Sequence, residues 1–437
     1  MSTVVQRNHT GVGLRGFVKV NIFLASLVVF VGFTPIADII LSPIIVFGIY
    51  VMWFAHTLTF VNLSRLFKND YKMSLWWLCF WVYQLFLSYV NFSTISPNNI
   101  LARLTIFGLP LVASVCYCYY NESEKRSFCK IILTIIVLNL MHNIYIVLTN
   151  PDIFESISLA KFTMGTRLVT NAGSTSFVNS IFFLFPLCLI FRKYIKSPQI
   201  KFGLLLLAIL SAYYFLVLNP RGTVVILFVL TCTLFVIVKW NQGNVFKTVV
   251  GIVFWLIIIL FLFEPVLSIL ENIFSYSEVI STRLNDVTGV LSGQDIKDEG
   301  SLYARFMLGK ASLNTWVGGF VNFLFGIGDH ASDGDVYSLI NSGVGKHSQI
   351  LDTLARFGCV GLLFMINIFK STYRFLFSNI NDMLAKSNLS VVFAFYIIMG
   401  VLNNIFYCDN LIVVVLFMSL MTSICKLSNS RIYVKVI

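Results

Sequence analysis

The sequence predicts an all-α polytopic membrane protein with about twelve transmembrane helices and one large helical loop between the ninth and the tenth. Three observations predict it. Of the 437 residues, 58% are hydrophobic and only 11% charged, and the mean hydropathy is +0.86, a composition that does not cover a water-soluble fold. The apolar residues come in runs close to the roughly 20 residues that cross a hydrocarbon core. The net charge of +12 is scattered between those runs instead of forming a basic stripe, which excludes nucleic acid as a partner. Disordered, collagen-like and disulfide-rich secreted classes are excluded by the same composition.

Taken in order, the segment before residue 17 carries Arg7 and Arg15 but no small-residue cleavage pattern, so the first apolar run reads as a permanent span. Windowed hydropathy places spans at 17–36, 39–63, 74–93, 103–120, 130–148, 177–191, 202–218, 222–238 and 248–264. A long hydrophilic stretch, 265–356, follows before spans at 357–369, 388–406 and 411–425. The chain therefore divides into helices one to nine (1–264, with a shorter outer loop at 149–176), a large loop or cap (265–356) and helices ten to twelve (357–437). Basic residues decide the orientation. Arg65, Lys68, Lys72, Lys125, Arg126, Lys130, Arg192, Lys193, Lys196, Lys370 and Arg374 all fall on the side that also holds both termini, which makes that side cytoplasmic. The cysteines Cys79, Cys116, Cys118, Cys188, Cys232 and Cys359 lie in or beside apolar runs and read as small hydrophobes, with no disulfide or metal spacing.

The 265–356 loop gathers most of the 19 carboxylates, among them Asp286, Asp295, Asp298, Asp329, Asp333 and Asp352. Its aromatic and apolar residues, including Tyr303, Phe306, Trp316, Phe320 and Phe323, suggest a folded cap; loops of such length are functional or disordered. Within it, the stretch from Ser301 to Gly309 has helical character around Arg305.

Candidate chemistry is concentrated on the outer side. Asn219-Pro220-Arg221-Gly222 opens the eighth span, with Asn as N-cap and Pro as first helical residue. Free N–H groups, the positive helix end and a guanidinium would converge there at the depth of lipid phosphates; an interfacial arginine reaching for headgroups is the alternative. Arg305, with Arg283 as a further contact, is the candidate to join Arg221 on a diphosphate, because guanidinium forks grip phosphate oxygens in pairs. An ordinary salt-bridged surface arginine is the other reading of Arg305. Further on, Gly326-Ile327-Gly328 precedes a polar stretch and His347-Ser348-Gln349-Ile350-Leu351-Asp352. Residues 347, 351 and 354 share one face of a short helix that would feed the tenth span, with His347 at its outer end. There a neutral imidazole would accept a proton from a sugar hydroxyl, or stand as a solvated loop histidine. Asp352 and Arg356, four apart, read as a structural pair. His56 and His142 lack ligand-spaced neighbours, so neither predicts a metal site.

The ordered set of Pro220-Arg221-Gly222, Arg305, Gly326-Ile327-Gly328, His347 through Asp352, and Arg356-Phe357-Gly358 with Gly361 resembles the O-antigen polymerase (Wzy) family. It is similar, more distantly, to the O-antigen ligases, which commonly have His-Asn where this chain has His347-Ser348. The motifs span roughly 200–365; each is short, and their order and sidedness carry the likeness. The resemblance implies a GT-C-like, metal-independent glycosyltransferase without cofactor, at the outer face of a Gram-negative inner membrane. Its substrates would be oligosaccharides on undecaprenyl diphosphate, and a chain-length regulator is an implied partner. Arg221 and Arg305 would hold the diphosphate with help from Arg283, and His347 would act on the acceptor hydroxyl. Tyr303, Trp316, Asp352 and Arg167 would contact sugars. The rival readings are a ligase that delivers finished glycan to lipid A-core, and a non-enzymatic flippase for lipid-linked oligosaccharides.

Overall fold

A computed structural model describes residues 11–34, 41–60, 72–92, 97–150, 175–214, 302–328, 339, 341–378 and 380–425. Among these every regular element is helical. The helices are α1 (Gly11–Phe33), α2 (Pro43–Phe60), α3 (Lys72–Phe92), α4 (Pro97–Tyr119), α5 (Glu122–Thr149), α6 (Thr175–Tyr194) and α7 (Pro198–Tyr213). After the gap in description come α8 (Leu302–Val317), α9 (Phe320–Phe325), α10 (Gln349–Phe377), α11 (Met383–Leu402) and α12 (Cys408–Ile424). The expected spans at 222–238 and 248–264 lie outside the described residues.

Five of the helices are long and apolar enough to cross a membrane, including α5, α10 and α11. The distribution of apolar side chains shows what surrounds them. Phe23, Phe54, Phe86, Tyr145, Phe202 and Leu363 are all exposed, each on a helix whose other face is packed. A water-soluble monomer does not present so many large apolar groups outward, and the chain is a helical membrane protein.

Inside, α12 is the hub. Its middle, Ile412–Phe417, is π-helical and buried on every side, packed against α4, α6 and α1. A stretch apolar all round belongs in the centre of a bundle, and Ile412-Val413-Val414-Val415-Leu416-Phe417 is such a stretch. Polar groups that enter the bundle are paired across helices. Asn21 of α1 donates to Thr57 of α2 at 3.1 Å and accepts from the Tyr120 hydroxyl, just beyond α4, at 2.7 Å, with His56 Nδ1 3.3 Å from the same amide. At the start of α5, Asn121 and Glu124 form a reciprocal capping box, which starts the helix abruptly. Lys125 then folds back to donate to the Tyr117 carbonyl at 3.0 Å and to Ser423 of α12 at 2.9 Å. Its ammonium thus ties the ends of three helices together.

Two elements differ from the sequence-based expectation. The tenth span begins at Gln349, well before residue 357, and is broken within itself at Gly358, where φ is 62° and ψ −162°. His347, expected on a helical face with Leu351 and Leu354, precedes the helix instead, because Ser348 takes the N-cap position and turns the chain out of helical geometry.

Candidate functional site

The break in α10 organises the region that the sequence motifs mark. A helix interrupted within a membrane protein frees backbone carbonyls that have to find donors, since hydrocarbon supplies none. Here the donors come from the upstream glycine motif. The Ile327 N–H donates to the Ala355 carbonyl at 3.0 Å and the Gly328 N–H to the Arg356 carbonyl at 2.8 Å. The Phe357 carbonyl accepts the Tyr83 hydroxyl of α3 at 3.1 Å. Two backbones must cross at close range to do this, and glycine makes the crossing possible. A Cβ on Gly326 would overlap the Arg356 carbonyl group, and a Cβ on Gly358 would overlap that of Leu324. Both glycines also have positive φ, which side chains disfavour. Two motifs that the sequence shows as separate are therefore one backbone-bonded unit.

Above that unit, the N-terminal turn of α10 is fastened to α8 through buried side chains. The Ser348 hydroxyl accepts the Leu351 N–H at 3.2 Å, and Asp352 Oδ2 accepts the Ser348 N–H at 3.1 Å. Asp352 Oδ1 accepts the Ser312 hydroxyl of α8 at 2.8 Å, and Ser312 Oγ in turn accepts the Gly345 N–H at 2.9 Å. The Asp352 side chain is only 3% exposed and interacts electrostatically with Arg356 one turn on, so it acts as a strut between α8 and α10. That agrees with the pair expected from four-residue spacing, and occupies a carboxylate that the family resemblance assigns to sugar contact.

His347 lies between these anchors. On its N-terminal side Lys346 has φ 55°, the one positive value for a non-glycine among the described residues. The Lys346 carbonyl accepts from Asn404 Nδ2 at 2.8 Å. On its C-terminal side the Gln349 N–H donates to the Asn403 carbonyl at 3.2 Å, while Gln349 Oε1 accepts the Phe406 N–H at 3.2 Å. The short segment between α11 and α12 thus clamps the histidine loop from one side and α8 from the other. His347 itself is partly exposed and held in place by its backbone neighbours.

The other candidates fall as follows. Arg305 and Tyr303 belong to the first turn of α8, which confirms the helical character expected around Arg305. The Trp316 indole stacks on Phe323, with ring centroids 5.0 Å apart, and donates to the Phe323 carbonyl at 3.1 Å, closing a hairpin between α8 and α9. Arg221 with its Asn219-Pro220 cap, Arg283 and Arg167 lie outside the described residues. Sequence reasoning missed Ser312, Asn403, Asn404 and Tyr83. The Asn403-Asn404 pair had a legible signal, a polar dipeptide between two apolar runs; Ser312 and Tyr83 had none without a partner in view. No known family model matches the chain, and no curated protein matches it significantly.

Proposed function

We propose that the chain is an O-antigen polymerase, a glycosyltransferase that moves a growing glycan from undecaprenyl diphosphate onto the terminal sugar of a new lipid-linked repeat unit. The observation that carries the reading is the convergence of motif pieces. The Gly326–Gly328 and Arg356–Gly358 motifs bond to each other, and His347 is clamped beside the same helix start. The ordered likeness to that family supplies the substrate class.

In this reading the acceptor hydroxyl attacks the donor's anomeric carbon as the bond from that carbon to the diphosphate oxygen breaks. The electron pair leaves with undecaprenyl diphosphate, and the hydroxyl proton passes to the neutral imidazole of His347. Arg221 and Arg305 stabilise the charge that develops on the leaving group, with Arg283 as a further contact, the task a divalent cation performs elsewhere. Tyr303 and Arg167 border the sugars, while Trp316 closes the α8–α9 hairpin through Phe323. Both termini lie in the cytoplasm and the site faces the periplasm of the inner membrane, with a chain-length regulator as a partner.

The lipopolysaccharide gel profile of a deletion strain, with and without the gene restored, tests this. Core carrying one repeat unit, restored to a ladder by the gene, is the expected result. Bare core with long glycan retained on undecaprenyl diphosphate would make the protein a ligase. Bare core with single units trapped inside would make it a flippase, and an unchanged ladder would overturn the reading for this polymer.

A further inference from the structure

Between Lys310 and Asp329 the chain carries no charged residue, although it lies in the long stretch that hydropathy assigns to a water-exposed cap. The structure makes the anomaly larger. Phe306 and Val317 on α8 and Phe320 and Val321 on α9 point outward, Phe320 being 77% and Val321 66% exposed. Such a patch in water would be a liability.

Its depth argues that it is not in water. The Phe325 carbonyl accepts the Tyr83 hydroxyl at 3.4 Å, and Tyr83 stands about 16 Å along α3 from Lys72 and about 14 Å from Phe92 at 1.5 Å per residue. The end of α9 therefore sits level with the middle of a helix that hydropathy assigns to the membrane. A second measure agrees. Gly326–Gly328 bond to Ala355 and Arg356, and Gly358 lies roughly 14 Å below the start of α10 at Gln349 by the same rise. The helix that α9 packs against, α10, and α3 beside it also expose large apolar side chains, Leu363 and Ile366 on α10 and Val82 and Phe86 on α3. Finally, the non-helical backbone at this depth meets the condition that hydrocarbon imposes. The Gly326 N–H bonds to Asn322 at 2.8 Å, and the Ile327 and Gly328 N–H groups bond to α10.

We propose that residues 320–328 form a re-entrant membrane segment. It enters the bilayer from the end of the molecule that carries His347 and reaches about the middle of the hydrocarbon at Phe325–Gly326. Lipid acyl chains cover the outward face of Phe320 and Val321. The proposal stands whether or not the chain is a polymerase, because it rests on depth and burial alone.

Spin-label accessibility in proteoliposomes of phosphatidylcholine and phosphatidylglycerol tests it. Val321→Cys and, as a reference near the His347 end, Asn341→Cys are labelled in a background whose nine natural cysteines are replaced by serine or alanine. The Val321 label should collide with oxygen several-fold more than with an aqueous nickel chelate, and the Asn341 label should show the reverse. Equal nickel access at both positions would overturn the proposal, as would spin–spin broadening at Val321 that marks a second copy as the occupant. Should the substituted background fail to fold, the otherwise natural protein gives the same answer through Trp316. The fluorescence lost in Trp316→Phe should be quenched by lipids brominated on the acyl chain; quenching by iodide instead overturns the proposal.

Discussion

Gly358→Ala should be among the most damaging single-methyl additions in the chain, and its cost can be worked from the geometry. The residue holds φ at 62° and ψ at −162° inside α10, a backbone region all but confined to glycine that costs a side chain roughly 1–3 kcal/mol. The added carbon would land on the backbone of Leu324 and Phe325, which has no rotamer by which to give way. Residues 324–328 must then withdraw from α10, breaking the bonds to Ala355 at 3.0 Å and Arg356 at 2.8 Å. Each is worth about 1 kcal/mol net, and the total comes to about 3–5 kcal/mol. Gly48→Ala is the matched control, since nothing lies within 4 Å of the added carbon and alanine favours a helix by up to about 1 kcal/mol. The assay is thermal melting of the detergent-purified protein, followed by loss of the monodisperse peak in size-exclusion chromatography. Gly358→Ala should melt well below the parent and Gly48→Ala at or above it. A Gly358→Ala midpoint equal to the parent's would refute the reasoning, because it would mean that α10 can straighten and take up its own carbonyls without loss.

Four further outcomes are expected. Ser312→Ala leaves the Gly345 N–H and one Asp352 oxygen without their shared partner, and should cost about 1–3 kcal/mol in the same melting assay. Asn404→Ala removes the donor to Lys346, worth about 1 kcal/mol, and should lower the melting midpoint no more than Ser312→Ala does while lowering polymerisation roughly fivefold; Asn404→Asp, which has no N–H to give, should not restore it. Arg221→Ala should abolish polymer in a complementation ladder and Arg221→Lys should rescue it poorly, since lysine lacks the paired donors; full chain length from Arg221→Ala would remove the diphosphate role. His347→Ala should leave the elution profile of the purified protein intact and cut polymer yield, and a normal ladder would take His347 out of the mechanism.

What could be read in advance depended on whether a signal was local. Apolar run length placed the described helices α1 to α7, α11 and α12 close to where they lie, because a sustained apolar run bounded by polar residues is a signal carried by the segment alone. The helical pattern around Arg305 was legible for the same local reason. His347 was misplaced because periodicity was extended through Ser348, whose side chain accepts the Leu351 N–H and ends the helix; capping chemistry overrides pattern at a terminus. The centre of the bundle was legible only in principle. In a membrane, side chains that face lipid and side chains that face protein are alike apolar, so hydropathy does not separate buried Ile412–Phe417 from exposed Val82 and Phe86.

The glycine crossing lay further out of reach. Taken alone, Gly358 reads as an interior glycine that costs a helix about 1 kcal/mol, and Gly326-Ile327-Gly328 reads as a turn. Their meaning appears only as a pair. A span that breaks at Gly358 strands the carbonyls of Ala355 and Arg356, and some segment without side-chain bulk has to reach them. Gly326 supplies the approach, Ile327 and Gly328 supply the donors, and the absence of charge from Lys310 to Asp329 lets the segment lie at the depth where they are needed. The same contact fixes the direction in which α10 leaves the break, and with it the position of Ser348, Asp352 and the histidine loop they hold. The placement of His347 is thus set from below by a backbone contact in which no functional side chain takes part.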